Sequence, residues 1–545
     1  MAFNISVLSL QEPRGPDGAD SHSAPTPPRL LFDGAAAAAL LCAFGLHTRN
    51  ALTPDGVAYL ENAELFATGG WAEALQGYWS PGYSLLLAPA AWLAGGDRGL
   101  LLLIAHIVQL FLGLAALWMA AAAVQRRAPP HAQRVVYWGC AWIILRWLTQ
   151  EVLTPDLLLC TLVFWFVSLR PPTTARARAV HGGIIGAGFL VKSSIWPWLL
   201  VALALAVARS VRARNWLVFP ATTVLVAVAI SGAFVVTLSV RAGRPTLGSV
   251  GPLNARWYLG DRSRRTPDTD TGPHATKRLL EWRPGLVIAA HDLRPSTRTY
   301  APWSDPERWV RGVPASSLPP LNFAEALTAW RQNAVELARW LLPLGVGLAL
   351  LVAWTDDARD RGIRAWLRHR PLLTVGISAA LSFAVVHAEH RLLAPAGLLL
   401  LLGAWRDADT ATPRPRFELL AAVLVACVAV QLATYFPAAA VRASRTAQSE
   451  QSMHRFLAQA KARGGGRDVV VVGRFGVWMA ILWRNQLRAA VQIDESSAAA
   501  LASVPDAELG RSLRAAFGAS LLGAAITDVQ RQGRAEEFQM SFLRF

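Results

Sequence analysis

Four short stretches of this chain carry side chains that apolar surroundings do not explain. The first, around Asp55, reads Leu-Thr-Pro-Asp-Gly-Val-Ala-Tyr-Leu-Glu-Asn-Ala. The second holds Glu151 and Asp156, the third places Lys192 and two serines before Trp196-Pro197, and the fourth crowds His387, Glu389, His390 and Arg391 together. Acids on two stretches and cations on two others are a minimal kit for one kind of chemistry. An acid takes a proton from an attacking hydroxyl, and the cations neutralise a phosphate leaving group. Structural roles compete at each position. Thr-Pro-Asp is a helix-start signal at both 53–55 and 154–156, so Asp55 and Asp156 could cap helices and favour their positive ends. Lys192 could snorkel to lipid headgroups. A zinc site from His387, Glu389 and His390 does not follow a ligand spacing that zinc proteins use.

The elements that must position these residues are membrane spans. The 545 residues are 53% hydrophobic and 16% charged, with 22 Trp. Soluble domains carry about 25% charged residues. Apolar runs lie near 30–47, 82–94, 99–124, 135–148, 156–169, 180–191, 195–208, 215–239, 338–354, 371–387, 391–405 and 417–436. The run 82–94 is flanked by Pro81 and contains Pro89. It falls short of the ~20 residues a span needs and is read as a half-helix in the outer interface. Arginines then cluster on alternate connections: Arg126, Arg127 and Arg134; Arg170, Arg176 and Arg178; Arg209, Arg212 and Arg214; and five between 359 and 370. The positive-inside rule gives about eleven spans, the N-terminus cytoplasmic, the C-terminus extracytoplasmic and a hairpin around Lys192. All four polar stretches then face outward. The net charge of +17 is used for orientation, which argues against nucleic-acid binding. Cys42, Cys140, Cys160 and Cys427 all sit inside apolar runs, where neither a disulfide framework nor a cysteine metal site is expected.

Residues 1–29 read as a disordered cytoplasmic tail, 30–436 as the transmembrane domain with outer loops 48–98 and 241–337, and 437–545 as a small extracytoplasmic α/β domain. In the last, helices at 444–463, near 475–487 and between 495 and 518 alternate with strands near 469–472, 489–493, 523–527 and 539–543. Gly464-Gly465-Gly466 is a turn, since no phosphate-loop pattern surrounds it. The long loop 241–337 has little periodicity, and a loop of that length is usually functional.

In order and sidedness these motifs resemble the C-type (GT-C) membrane glycosyltransferases, among them the bacterial relatives of the protein O-mannosyltransferases and of the lipid A aminoarabinose transferase. The resemblance runs through Asp55 to Ala63, Trp79-Ser-Pro-Gly-Tyr83, Thr154-Pro-Asp156, Phe189-Leu-Val-Lys192 to Pro197, Leu247 to Asn254 and Glu389-His-Arg-Leu-Leu-Ala-Pro395. It departs at Gly56, where the family often has a second acid, and at Leu392, where it usually has tyrosine. The resemblance implies a GT-C-like, all-α polytopic fold and inverting transfer of a sugar from a polyprenyl-phosphate donor to a hydroxyl of a glycan, lipid or protein, in the inner or plasma membrane. It implies Asp55 as catalytic base, Lys192 and Arg391 at the donor phosphate, and Glu151 or Asp156 on the acceptor side; Arg256 is expected to join the two cations at that phosphate. Tyr59, Glu389 and His390 are expected in the same cavity. No cofactor is required, and a divalent metal is left open. Two other classes fit a polytopic chain. A lipid flippase or transporter usually shows inverted repeats and broken midplane helices, and no matching halves are visible. A non-catalytic assembly protein has no use for the acidic loop residues.

Overall fold

The computed structural model describes residues 28–128, 130, 133–148, 153–169, 174–195, 218–260, 277–283, 286–293, 297–307, 321–354, 371–405, 430, 433–434, 467–472, 476–493, 501, 506–517, 521–532 and 535–544. Helix α1 (Pro28–Thr48) is followed by α2 (Pro54–Ala67), the short α3 (Trp71–Ala74), α4 (Pro81–Ala94) and α5 (Arg98–Arg127). Then come α6 (Gln133–Trp142), which passes into a π-helical turn Ile143–Trp147, α7 (Asp156–Ser168) and α8 (Ala175–Val191), which ends in a 3-10 turn Ser193–Ile195. Helices α9 (Val218–Ala242) and α10 (Val250–Leu259) lead to strands β1 (Lys277–Arg283) and β2 (Leu286–Asp292). The short α11 (Ala301–Ser304) precedes the long α12 (Phe323–Trp354), then α13 (Pro371–Val386) and α14 (His390–Trp405). The C-terminal part contributes β3 (Asp468–Val472), α15 (Gly476–Arg484), β4 (Arg488–Ile493), α16 (Asp506–Phe517), β5 (Leu521–Gln532) and β6 (Ala535–Arg544).

Among the described residues, three helical stretches are long and apolar enough to cross a membrane: Leu30–Thr48, Arg98–Arg126 and Ala221–Ala242. Shorter apolar helices cover Asp156–Ser168, Leu372–Val386 and His390–Gly403. Most of the expected runs 195–208 and 417–436 lie outside the described residues, as do residues 1–27 and the triple glycine. Helix α4 has 14 residues, about 21 Å at 1.5 Å per residue, short of a ~30 Å hydrocarbon core. One face buries Tyr83, Leu87, Ala90 and Ala91, while Leu86, Trp92 and Leu93 are exposed. Both faces are therefore apolar, as in a helix that water does not cover.

The described parts of the segment 241–337 carry more regular structure than its sequence suggests. They hold α10, a β-hairpin, α11 and about four turns of α12, which begins at Phe323. The hairpin joins the C-terminal strands in one six-stranded sheet of order β1-β2-β4-β3-β5-β6. The boundary drawn between outer loop and C-terminal domain therefore runs through a single sheet. Strand β3, read from its run of valines, is parallel to both neighbours, and a strand covered on both faces has no need to alternate. Ala290 of β2 pairs antiparallel with Ile493 of β4. The hairpin was illegible because its partner strand lies far along the chain, and periodicity senses only local pattern.

Two cores hold the molecule together. One gathers Leu41, Tyr137, Trp142, Trp147, Phe164 and Leu398 among the helices. The other joins α2, α4 and the start of α5 to α15 through Tyr59, Tyr83, Trp478, Met479 and Trp483. Fully burying a large apolar side chain is worth about 1.5–3 kcal/mol, so α15 is fastened to the elements around Asp55 by several such residues.

Candidate functional site

Helix α2 starts as its sequence dictates, but Asp55 is not its cap. The Thr53 hydroxyl accepts from the Gly56 amide at 3.2 Å, and Pro54 fills a first-turn position that needs no donor. Asp55 is thereby left for another partner. Its Oδ2 lies 2.6 Å from Nη1 of Arg391, in the first turn of α14. Asp156 is likewise no cap: Pro155 occupies that position without a side-chain hydrogen bond. The buried Asp156 carboxylate instead accepts from Thr154 Oγ1 at 2.8 Å and from Lys192 Nζ at the end of α8.

Glycine makes this convergence possible. A Cβ on Gly82 would sit 2.8 Å from the Leu190 carbonyl and the Val191 nitrogen, so α4 starts directly against the backbone that ends α8. Beside that contact, Ser80 Oγ accepts from the Ser193 amide at 3.0 Å. The turn carrying Arg391 is fixed from α12. Buried Asn333 donates to the Ala384 carbonyl at 2.9 Å and accepts from the Ala388 amide at 3.0 Å. Trp330 Nε1 donates to the Val385 carbonyl at 2.8 Å.

Arg391 is shared. Its Nε donates to Glu389 Oε1 at 2.9 Å while Nη1 holds Asp55. His387 Nε2 lies 3.9 Å from Glu389 and stacks flat on Tyr258 of α10, centroids 4.0 Å apart. Burial pushes His387 below the ordinary histidine value, opposed by the Glu389 charge and reinforced by Arg391. His390 leans on Trp340 at 4.8 Å, and the Arg146 guanidinium lies 4.9 Å from the same ring. Tyr78 bridges to α10, its hydroxyl donating to Asn254 Oδ1 at 3.1 Å and its ring meeting Trp257 at 5.4 Å. Burial and the Asp55 charge push the Tyr78 phenol well above its usual range, which keeps it a donor.

Asp55, Asp156, Lys192, Glu389, His390 and Arg391 thus come together from the ends of α2, α7, α8 and α14. Tyr59 is close to Asp55 and Asp156 but is buried, edge-on to Trp79 at 5.1 Å and Tyr83 at 5.5 Å. Arg256 lies half-buried on α10 next to Trp257; among the described residues no ion pair ties it to the cluster. Glu151 lies outside the described residues. Among those described, no three His, Cys, Asp or Glu side chains are arranged to hold a metal.

Sequence reasoning missed Arg146 and Asn333. Arg146 had a signal, because a lone cation inside the run 135–148 is a functional hypothesis by default. Asn333 had none, since a polar residue on the mixed surface of α12 is unremarkable until the turn it holds is known. Glu61, set aside because it leaves the Asp55 face, is buried. It accepts from the Thr299 amide at 2.6 Å and from Ser304 Oγ, which ties 297–307 to α2.

Chemically, three carboxylates face two cations where the ends of α2, α7, α8 and α14 meet, with aromatic rings and the imidazoles of His387 and His390 beside them. Such a site can accept a proton, bind a phosphate by exchange of ion-pair partners, and stack a sugar ring. No family model and no curated protein matches this chain. It is similar to the crystal structure of ArnT from Cupriavidus metallidurans bound to undecaprenyl phosphate, with 14% identity and a TM-score of 0.43 over 93% of this chain and 97% of that one.

Proposed function

We propose that the chain is a membrane glycosyltransferase of the GT-C kind, moving a sugar from a polyprenyl-phosphate donor to an acceptor hydroxyl outside the cytoplasm. The observation that carries this reading is the meeting of Asp55–Arg391 with Asp156–Lys192. Two acid–cation pairs drawn from four helix ends bring a proton acceptor and phosphate-binding cations within one site.

The acceptor oxygen attacks the anomeric carbon from the face opposite the phosphate, so the configuration inverts. Its proton passes to Asp55. The bond between the anomeric carbon and the phosphate oxygen breaks with its electron pair leaving on the polyprenyl phosphate. Arg391 stabilises that charge by turning from Asp55 toward the phosphate, which frees the Asp55 carboxylate at the moment it is needed. Lys192 supplies the second charge, held in place by Asp156. Arg256 and Arg146 lie on flanking elements and add positive potential as the phosphate enters. Nothing in this sequence of steps needs a metal.

The test is transfer of labelled sugar from synthetic polyprenyl-phosphate donors by the purified protein. Wild type should transfer, and Asp55→Asn should lose about a hundredfold or more, the scale expected for removing a general base, while still binding donor. Full activity in Asp55→Asn would move the base elsewhere. Donor movement across the bilayer without transfer would favour a flippase.

A further inference from the structure

Tyr59, Tyr78 and Tyr83 crowd the joint between α2 and α4, and two of them spend their hydroxyls inside the protein. Tyr83 donates to Gln109 Oε1 at 2.9 Å, and Tyr78 donates to Asn254 Oδ1 at 3.1 Å. Tyr59 does neither. It is 5% exposed, and its ring is fixed edge-on to Trp79 and Tyr83. Its backbone is fixed as well, since its carbonyl accepts from Ser84 Oγ of α4 at 2.9 Å. Its hydroxyl nevertheless has no hydrogen-bond partner in the protein, and it is not sealed from accessible space as the unpaired Thr299 hydroxyl is. Buried phenols usually find an acceptor. With the ring held and the hydroxyl open, that acceptor comes from outside the chain.

The surroundings say what kind of acceptor it is. Asp55 and Tyr59 are four residues apart on α2, so their side chains are neighbours on one helical face. Burial, and then the charges of Asp156 and Asp55, push the Tyr59 phenol well above its usual range. It therefore stays protonated. Each of those carboxylates already holds a cation, Asp55 with Arg391 and Asp156 with Lys192. The phenol thus stands between the two acid–cation pairs and belongs to neither.

We infer that Tyr59 recognises the sugar of the donor lipid, its hydroxyl donating to a neutral sugar oxygen. This rests on the transfer reading above and adds a group that selects what is transferred. The phosphate is claimed by Arg391 and Lys192, whose full charges outcompete a neutral phenol for an anion. The attacking hydroxyl is claimed by Asp55. The sugar must stand between them, because its anomeric carbon is joined to the phosphate and receives the attack. Tyr59 is a specificity group and moves no proton in the reaction.

The test compares the affinity of the full-length purified protein for bare undecaprenyl phosphate and for its glucosyl, mannosyl and arabinosyl derivatives. Wild type should bind at least one glycosylated lipid more tightly than the bare one. Tyr59→Phe keeps the ring and removes the donor. It should weaken that glycosylated lipid about tenfold, the scale of one hydrogen bond to a buried group, and leave the bare lipid unchanged. Tyr83→Phe removes the same atom from the adjacent ring, where it serves Gln109, and should lower the unfolding temperature without altering the preference for the sugar. Equal losses for bare and glycosylated lipid in Tyr59→Phe would overturn the inference in favour of a phosphate or structural role. So would no loss for either, or a wild type indifferent to every sugar. A wild type that does not bind bare undecaprenyl phosphate would instead sink the transfer reading, and this inference with it.

Discussion

At the scale of single residues, the buried pair Asp156–Lys192 is the group whose disruption should cost most. The Asp156 side chain is 3% exposed and Lys192 19%. Removing only the cation leaves a buried charge unpaired, which typically costs about 3–5 kcal/mol. Lys192→Met should therefore lower the unfolding temperature of the purified protein sharply, and adding Asp156→Asn should restore much of it. A double-mutant cycle that shows no coupling would sink that assignment. His387 gives a pH signature. Its folded value lies below that of the unfolded chain, about 6.5, so the unfolded state takes up the proton first as pH falls. Its contribution is complete above about pH 6.5 and is lost toward the lower folded value. Glu389, Arg391, Glu336 and the stacked Tyr258 all face this ring. Thermal unfolding between pH 7 and 5 should steepen less with pH in His387→Gln than in wild type, as about one linked proton is removed. The types of these residues were legible in the sequence, because charges between apolar runs invite a function. Their pairing was not. Capping was the natural competing role for both aspartates, and only the actual cap, Thr53 for α2 and none for α7, shows where those carboxylates are free to go.

At the scale of elements, the site depends on contacts that pattern analysis cannot see. The first is the backbone-to-backbone approach of α4 and α8 at Gly82. Gly82→Val places methyl groups where the Leu190 carbonyl already stands, so α8 must shift and carry Lys192 with it. Overpacking of this kind costs about 1–3 kcal/mol. Transfer activity should fall more than stability does, and KM for the donor should rise if Lys192 holds its phosphate. The second is the Asn333 clamp on the turn before α14. Asn333→Leu leaves a buried amide unpaired, at about 1–3 kcal/mol, removes the donor to the part-buried Ala384 carbonyl, and loosens the turn that aims Arg391. A drop in unfolding temperature with unchanged donor affinity would show that Asn333 serves the fold alone. The helices themselves were largely visible as apolar runs, since burial and lipid both select the same residues. The short helix α4 was visible too, as an apolar run that starts at a proline.

At the scale of the whole molecule, the C-terminal part is bound into the region that carries the site. Helix α15 buries Trp478, Met479 and Trp483 in the core shared with α2 and α4. Arg98 joins the two, pairing with Glu64 at 2.8 and 3.0 Å while donating to the Trp483 carbonyl at 2.8 Å. Truncation after residue 466 should expose that core. The shortened protein is expected to lose both donor binding and cooperative unfolding in a calorimetric scan, whereas an independent docking module could be removed without either loss.

The mixed origin of the sheet has a consequence for how the protein is made. Tyr300 and Gln492, 192 residues apart, share a buried hydrogen bond, and β2, paired with β1 on one edge, finds its second partner in β4. During synthesis the hairpin must wait, across several apolar helices, for strands near the end of the chain. Loop closure over such a distance is slow and leaves strand edges exposed meanwhile. The segment 297–307, which Glu61 ties to α2, is anchored on its other side by those late strands. A ribosome that stops before β4 therefore releases a chain in which the hairpin and the segment 297–307 lack the strand that anchors them.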